Sequence, residues 1–466
     1  MATAVQEYIL LTKDNHSRVI RIIQKLCATR RLATLTRMLA RLHATTLALL
    51  WESFEESERE IILSLLQTER AAELLTELDA DEQSAIFRSK DTSWIFDRLE
   101  ELQTDDIADI IKNLNPRDAN FILRRFDKDY TEKIKELLKY PEGTAGALMS
   151  SDFLAVSRQA TVKSIIAQFQ KLADEQKFDD LQFTFVVDRN NKFLGYISLR
   201  KLLIEKGDKK ASEIMTQAQI KITPDRDQEE VAQIFKDYNL LSLPVVNENG
   251  ILLGHITVDD VVDVIEDEAS EDILRLGGVI SSDALASATV AKMAKGRLPW
   301  LAFNLATQML AASIITFFND TLGKALILAP LMTIVSGQGG NATVQTITII
   351  VRSMALGEIS KQNFIRTLFR EIGIGLINGL LIGALLASVV YIFEQKIYLS
   401  FAIMLAMTIN MLIAATIGAL IPVMMRWLKI DPALASGPVC TTFTDICGFS
   451  AFLGAASLFM KYAGRL

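Results

Sequence analysis

The sequence predicts a multidomain membrane protein with an all-α superhelical N domain, two α+β repeats, a long connecting helix and a five-helix transmembrane domain. Three observations support this prediction. Charged residues occur throughout the chain before Lys295, whereas five long uncharged runs follow Leu298. Each run exceeds the roughly 20 residues that a helix needs to cross a bilayer. Two similar units of mixed helix and strand pattern lie between residues 141 and 275.

The first 140 residues are predicted to be all helix, because apolar residues recur three and four positions apart, as from Ile107 to Leu114. A weak internal repeat supports this prediction. The segment AAELLTELDADEQSAIF from Ala71 resembles IADIIKNLNPRDANFIL from Ile107, which gives a period of 36 residues. A period of that length with helix–turn–helix content is typical of a small helical solenoid.

Residues 141–204 and 205–275 form the two similar units. Each contains a short strand, a helix with a polar cap, two strands joined by a turn, and a second helix. Asn190-Asn191 and Asn249-Gly250 supply the two turns. The pattern resembles a tandem pair of CBS (cystathionine-β-synthase-type) domains, which are ligand-sensing modules rather than catalysts.

The second of these units suggests a nucleotide as a ligand. CBS modules that bind adenosine nucleotides often carry a Thr and an Asp with the spacing of Thr257 and Asp260 for ribose and phosphate contacts. The first unit has Ser198 and Lys201 at the corresponding positions, so the match is partial. ATP or AMP is therefore the second ligand that the sequence suggests.

The membrane part follows a connecting helix predicted over residues 276–297 and occupies residues 298–466. The five predicted spans are Leu298–Phe318, Ala325–Val351, Ile372–Phe393, Ile397–Met425 and Pro432–Met460. Lys and Arg concentrate before the first span and in the second-to-third and fourth-to-fifth connections, which marks those segments as cytoplasmic. The sequence thus predicts a multi-pass protein of the cytoplasmic (inner) membrane, with its N-terminus in the cytoplasm and its C-terminus outside.

Asp445 is the only charged residue in the run Pro432–Met460. A carboxylate at the centre of a membrane helix costs roughly 2.5–3.5 kcal/mol, so such a group usually faces a cavity, a bundle interior or an ion. Thr441 lies one turn away, and hydroxyl and carboxylate oxygens suit Mg²⁺ or Ca²⁺. In the second span, SGQGGNATVQ carries Gly337 and Asn341, which either line a pore or serve helix packing. A symmetric dimer would place two Asp445 carboxylates around one axis.

Eight acidic residues and no basic residue occur between Asp259 and Asp272. A solvated acidic helix face is the usual explanation of such a run. Here the run leads into the membrane part, so divalent cations that bridge it to another acidic surface would favour a compact state. Asp105 and Asp109, one helical turn apart in the N domain, offer that second surface.

With these residues in view, the chain resembles the MgtE family of magnesium channels and transporters over nearly its whole length. The resemblance includes EGTAGALM at Glu142–Met149, the acidic segment Val258–Gly278, GGNATVQ and TDICG. It implies a homodimer in the lipid bilayer, with a pore at the dimer axis that cytosolic Mg²⁺ closes. The pore residues expected are Asp445, Thr441, Asn341 and Gly337, and the regulatory residues expected are Asp105, Asp109, Glu229, Asp260, Asp263, Glu271 and Asp272.

Several other functions are disfavoured. The formal net charge of −7 argues against a nucleic-acid partner. Cys27, Cys440 and Cys447 form no C-x-x-C pair, and the Gly-rich GGNATVQ lacks the Lys of a phosphate loop, so no enzyme is predicted. The alternative hypothesis is a membrane-anchored CBS nucleotide sensor with a non-conducting helical bundle. Selectivity among Mg²⁺, Mn²⁺, Co²⁺ and Ca²⁺ stays open.

Overall fold

The computed structural model describes residues 13–174, 182–217, 219–279, 290–320, 327–359, 362–432 and 438–463. The chain divides into two compact units, one up to residue 265 and one from residue 266 onward.

The first unit begins with a run of short helices. Their bounds are α1 Lys13–Ala28, α2 Leu32–Leu39, α3 Ala44–Trp51, α4 Glu56–Leu65, α5 Thr68–Thr76, α6 Ala80–Ser89, α7 Thr92–Leu99, α8 Thr104–Asn113, α9 Pro116–Leu123 and α10 Lys128–Leu137. From α2 to α10 each helix starts 12 residues after the one before it. The 36-residue period found in the sequence therefore corresponds to three helices.

Equivalent positions of this repeat do the same work. Ala71 and Ile107, 36 residues apart, are both fully buried in the apolar core. Asp79 and Asn115, also 36 apart, both cap the N-terminus of the helix that follows. The Oδ1 atom of Asp79 accepts from the Glu82 backbone N–H at 2.8 Å, and that of Asn115 accepts from the Asp118 N–H at 3.0 Å. Caps of this kind stabilise a helix by about 1 kcal/mol each, which explains why the chain restarts a helix at such short intervals.

Two α+β units follow. The first contains α11 Ala145–Leu148, β1 Leu154–Ser157, α12 Val162–Asp174, β2 Phe183–Val187, β3 Phe193–Ser198 and α13 Leu199–Ile204. The second contains α14 Ala211–Ile214, β4 Thr216–Gln217, α15 Gln228–Tyr238, β5 Ser242–Val246, β6 Leu252–Thr257 and α16 Val258–Leu276. Strand β1 pairs parallel with β2, β3 pairs antiparallel with β2 and with β4, and β5 pairs antiparallel with β6.

The two predicted turns are present in the structure. Asn191 has a φ of 57° and Gly250 a φ of 79°, the left-handed conformation that Asn and Gly adopt most readily. In the first turn, Oδ1 of Asp188 accepts from the backbone N–H groups of Asn190 at 2.7 Å and Lys192 at 2.9 Å. These bonds close the hairpins and so fix the register of the strands.

The second unit contains five long helices after the end of α16. They are α17 Val290–Phe317, α18 Leu328–Ala355, α19 Phe364–Glu394, α20 Ile397–Trp427 and α21 Pro438–Ala463. Four of them contain stretches long and apolar enough to cross a membrane: Met293–Phe317, Phe364–Glu394, Ile397–Trp427 and Cys440–Phe459. Helix α18 has 28 residues but is not among the four. It carries the polar stretch SGQGGN at mid-length.

The predicted boundary between connecting helix and first span, at residues 297 and 298, is wrong for the described residues. Helix α17 runs without a break from Val290 to Phe317, although Pro299 lies inside it. Proline removes one backbone hydrogen bond, but neighbouring groups in a membrane helix commonly compensate for that loss. Residues 280–289 of the predicted connecting helix lie outside the described residues.

Helix α19 packs closely on α20 through glycines. A Cβ atom added at Gly379 would lie 2.8 Å from Thr408 Cα, and one added at Gly375 would lie 2.8 Å from the Met411 carbonyl oxygen. Contacts of this length are too short for any other residue. Small residues spaced four apart allow such close approach of membrane helices.

We expect Gly379→Val to destabilise the second unit by about 1–3 kcal/mol, because the added methyl groups overlap the α20 backbone. Gly373→Val is the matched control on the same helix, since no atom lies within 4 Å of a Cβ there. Thermal unfolding of the detergent-purified protein measures the difference. Equal melting temperatures for the two variants would contradict this packing.

Candidate functional site

Asp445 lies in α21 with 8% of its surface exposed. Both of its carboxylate oxygens accept hydrogen bonds. The Gln308 Nε2 of α17 donates to Oδ2 at 3.1 Å, and the Ser336 hydroxyl of α18 donates to Oδ1. Each oxygen keeps a further lone pair for water or a cation. The predicted pore carboxylate therefore sits where α17, α18 and α21 meet.

The other predicted pore residues fall into two groups. Thr441, one turn before Asp445, faces α18, where a Cβ at Gly340 would lie 3.8 Å from its methyl carbon. Gly337 and Asn341 instead lie on a face of α18 that the single chain leaves exposed. No atom lies within 4 Å of a Cβ at Gly337 among the described residues. The structure thus joins Thr441 to Asp445 but places Gly337 and Asn341 on a neighbouring surface.

Helix packing accounts for one glycine of the same stretch. Asn410 of α20 is fully buried, and its Nδ2 donates to the Val335 carbonyl oxygen at 2.7 Å. A Cβ at Gly339 would overlap this amide, and one at Gly448 would lie 2.9 Å from the Asn410 Oδ1. The packing interpretation therefore holds at Gly339. The exposed Gly337 remains available for the pore interpretation.

Three carboxylates come together in the first unit. Asp105 and Asp106 occupy the first turn of α8, and Asp260 occupies the first turn of α16. Acidic residues are favourable at helix N-termini because of the helix dipole. Asp105 and Asp260 were predicted from the sequence, whereas Asp106 was missed. The Oδ1 atom of Asp105 is buried without a hydrogen-bond partner among the described residues.

Burial and mutual repulsion make these carboxylates unusual acids. Burial, then the charge of Asp260, raises the pKa of Asp106 to about 7. Burial raises the pKa of Asp260 to about 6, although the Thr257 hydrogen bond opposes the shift. Burial, then Asp106 and Asp260, also raises the pKa of Asp105 well above its ordinary value. A proton or a cation would relieve the excess negative charge here.

The remaining predicted residues of the first unit lie at its surface. Asp109 forms an ion pair with Lys112 Nζ at 2.7 Å. It lines a cavity of about 310 Å³ together with Glu142 and Gln228. Asp263 is exposed on α16, and Glu229 is exposed in the first turn of α15.

The acidic run is divided between the two units. Asp259 to Asp263 belong to the first unit, whereas Glu266 to Asp272 belong to the second. In the second unit, Arg275 forms ion pairs with Glu271 and with Asp431. Burial, then the charge of Asp431, raises the pKa of Asp272 to about 6. The single acidic surface that the sequence suggested therefore consists of two clusters.

Among the residues that the structure describes, no group of three or more His, Cys, Asp or Glu side chains is arranged to hold a metal ion. Asp105, Asp106 and Asp260 share an electrostatic field rather than a set of ligand positions around one point. Mg²⁺ releases its water reluctantly and usually keeps several waters when one or two carboxylates bind it. The carboxylates therefore fit a hydrated cation better than a dehydrated one.

A polar cavity of about 220 Å³ lies beside the predicted nucleotide residues and is lined in part by Ser242, His255 and Thr257. The Thr257 hydroxyl donates to Asp260 Oδ2 at 2.6 Å. Ser242 Oγ and His255 Nδ1 are buried without a partner among the described residues. Burial lowers the pKa of His255 to about 4, so the imidazole is neutral near pH 7. These groups suit a small polar ligand.

The features so far define a membrane protein in which a superhelical domain and two CBS-type units precede a helical unit with a buried carboxylate. The chain belongs to the MgtE family. The family profile described as "Divalent cation transporter" matches residues 332–455, that of the "MgtE intracellular N domain" residues 42–143, and that of the CBS domain residues 145–207 and 211–267. The predicted family and fold class are thereby confirmed.

Several known proteins are similar to this chain. "Magnesium transporter MgtE" of Thermus thermophilus is 32% identical over 431 residues, which cover 92% of this chain and 95% of that protein. The protein of the same name from Enterococcus faecalis is 36% identical over 71% of this chain and 72% of its own length. A solved structure, the cytosolic domain of the Mg²⁺ channel MgtE in complex with ATP, is 31% identical. It covers 52% of this chain and 98% of its own, with a TM-score of 0.49.

Proposed function

We propose that this chain forms a homodimeric channel that carries Mg²⁺ across the cytoplasmic membrane and that cytosolic Mg²⁺ closes it. The observation that carries the proposal is Asp445, a buried carboxylate held by donors from two other helices of an apolar bundle. The names of the relatives, which are magnesium transporters, support the choice of ion.

In the proposed pore, the ion keeps its water shell. Asp445 uses one lone pair of each oxygen for Gln308 and Ser336, so the remaining lone pairs accept hydrogen bonds from the waters of the ion. Gly337 and Asn341 lie on an exposed face of α18, and a second copy meeting that face would complete the pathway. Asn341 and Thr441 then supply further hard oxygen atoms to the water shell.

In the proposed gate, cytosolic Mg²⁺ neutralises the carboxylates of the first unit. Asp105, Asp106 and Asp260 repel one another when all three are ionised. A cation that binds the compact arrangement more tightly than the open one shifts the population toward the compact state. We assign that compact state to the closed channel, with Asp109, Glu229, Asp263, Glu271 and Asp272 as further acidic groups of the sensor.

The raised pKa values predict how stability depends on pH. An acid whose pKa is higher in the folded protein binds more protons there than in the unfolded chain, so stability falls as pH rises from about 4 through about 7. Without Mg²⁺, the melting temperature should therefore be lower at about pH 8 than at about pH 5. Excess Mg²⁺ should remove most of that difference.

Asp106→Asn should flatten the pH dependence, because it removes the carboxylate with a pKa near 7. Asp129→Asn is the matched control, since Asp129 also lies in the first turn of a helix but is exposed. Scanning calorimetry of the detergent-purified protein measures both variants. An Asp106→Asn profile that matches the Asp129→Asn profile would count against the carboxylate cluster.

The cavity lined by Ser242, His255 and Thr257 supports a nucleotide sensor as the second candidate function, with ATP or AMP as ligand. The two candidates differ in one result. A channel carries Mg²⁺ into proteoliposomes whether or not nucleotide is present. Tight nucleotide binding by a protein that passes no cation would favour the sensor with a non-conducting bundle.

A further inference from the structure

Gln308 stands apart from the other residues of α17. It is an amide within the apolar stretch Met293–Phe317, and it lies on an exposed part of the helix surface. Its Nε2 nevertheless donates to Asp445 at 3.1 Å. One turn earlier, Oδ1 of Asn304 is buried without a hydrogen-bond partner among the described residues. A polar stripe of α17 thus runs alongside the Asp445 carboxylate.

Helix α17 is also the most loosely held of the four apolar helices. Only 6% of its apolar window is buried, against 56% for α20. Its close partner is α21, which carries Asp445. Because burial of apolar and packed surface holds helices together, α17 can shift relative to α21 at lower cost than the central helices can. Such a shift would stretch the bond between Gln308 and Asp445.

Packing alone does not explain the amide. An amide in a membrane costs free energy unless its hydrogen bonds are satisfied, and leucine would fill similar space without that cost. Ser336 bonds the opposite carboxylate oxygen. With both donors present the carboxylate is held at two points, whereas with Ser336 alone it can rotate about its terminal torsion, which is soft.

We infer that Gln308 is a positioning residue for Asp445. Its amide fixes the carboxylate in the orientation that receives the hydrated ion, and the position of α17 therefore sets how tightly the pathway binds that ion. This inference rests on the proposed function. It adds a residue outside α18 and α21 to the ion site, and it makes α17 the element through which the site is adjusted.

The test is Mg²⁺ flux into proteoliposomes as a function of external Mg²⁺ for full-length Gln308→Leu. Loss of one hydrogen bond to a charged group corresponds to about a tenfold change in binding. We therefore expect the half-saturating Mg²⁺ concentration to rise about tenfold, while flux at saturation changes much less. Thr307→Val is the matched control, since the Thr307 hydroxyl donates only to the Asn304 carbonyl oxygen of its own helix, at 2.9 Å.

A second variant covers the case in which Gln308→Leu does not fold. Gln308→Glu keeps the polar character and length but, when ionised, cannot donate to Asp445, so it should also raise the half-saturating concentration. If either folded variant has the half-saturating concentration of Thr307→Val, the inference is overturned. If the wild type does not conduct, or conducts equally without the Asp445 carboxylate, the proposed function fails as well.

Discussion

Asp445→Asn should reduce Mg²⁺ flux by about 100-fold, because it removes the negative charge that attracts the ion in a low-dielectric bundle. The substitution preserves shape, since an amide oxygen can still accept from Ser336 or Gln308. A loss of flux would thus report on charge rather than on folding. Flux into proteoliposomes, normalised to the amount of correctly folded dimer, measures the effect.

Glu371→Gln is the matched control for Asp445→Asn. Glu371 is a second buried carboxylate of the same unit, 3% exposed, and lies 3.5 Å from the Arg370 guanidinium. It has no place in the proposed pathway, so its neutralisation should leave flux within about threefold of wild type. Equal losses in the two variants would mean that any buried acid of the bundle is needed for folding, which would remove the special role of Asp445.

Neutralising Asp260, Asp263, Glu271 and Asp272 together should leave the channel open at internal Mg²⁺ concentrations that close the wild type. The repulsion that holds the open state apart would be gone, so the ion would no longer be required to change it. We expect the half-inhibiting internal Mg²⁺ concentration to rise at least about tenfold. Unchanged inhibition would reject electrostatic gating by these residues.

The division of the acidic run allows a finer experiment. Asp105→Asn with Asp260→Asn removes charge in the first unit, whereas Glu271→Gln with Asp272→Asn removes it in the second. The first pair should have the larger effect, because Asp105 Oδ1 is buried without a partner among the described residues, whereas Glu271 pairs with Arg275. Asp129→Asn with Glu132→Gln, both exposed on α10, controls for the loss of two charges.

Much of the architecture could be predicted from periodicity. The resemblance between the segments at Ala71 and Ile107 correctly indicated stacked helix pairs, because equivalent buried positions keep their apolar character. The shorter spacing of 12 residues was missed, since single helices in the array share a start position but few residue types. Helix α17 was divided wrongly because basic residues before Leu298 mark a membrane boundary and not a helix end.

The candidate site was only half visible in the sequence. Asp445 stood out because a lone charge in an apolar run is rare. Gln308, Ser336 and Asn410 carry no charge, and each becomes significant only when three or four helices meet. The acidic run looked like one surface, but a 19-residue helix is about 28 Å long. Its two ends therefore meet different partners, which no spacing rule reveals.

The most direct measurement is Mg²⁺ flux into proteoliposomes that hold wild type or Asp445→Asn, with internal Mg²⁺ varied. The proposed channel predicts a wild-type flux that falls as internal Mg²⁺ rises and that is nearly absent in Asp445→Asn at every internal concentration. Wild-type flux that is indifferent to internal Mg²⁺ and equal to that of Asp445→Asn would contradict both the pore residue and the sensor.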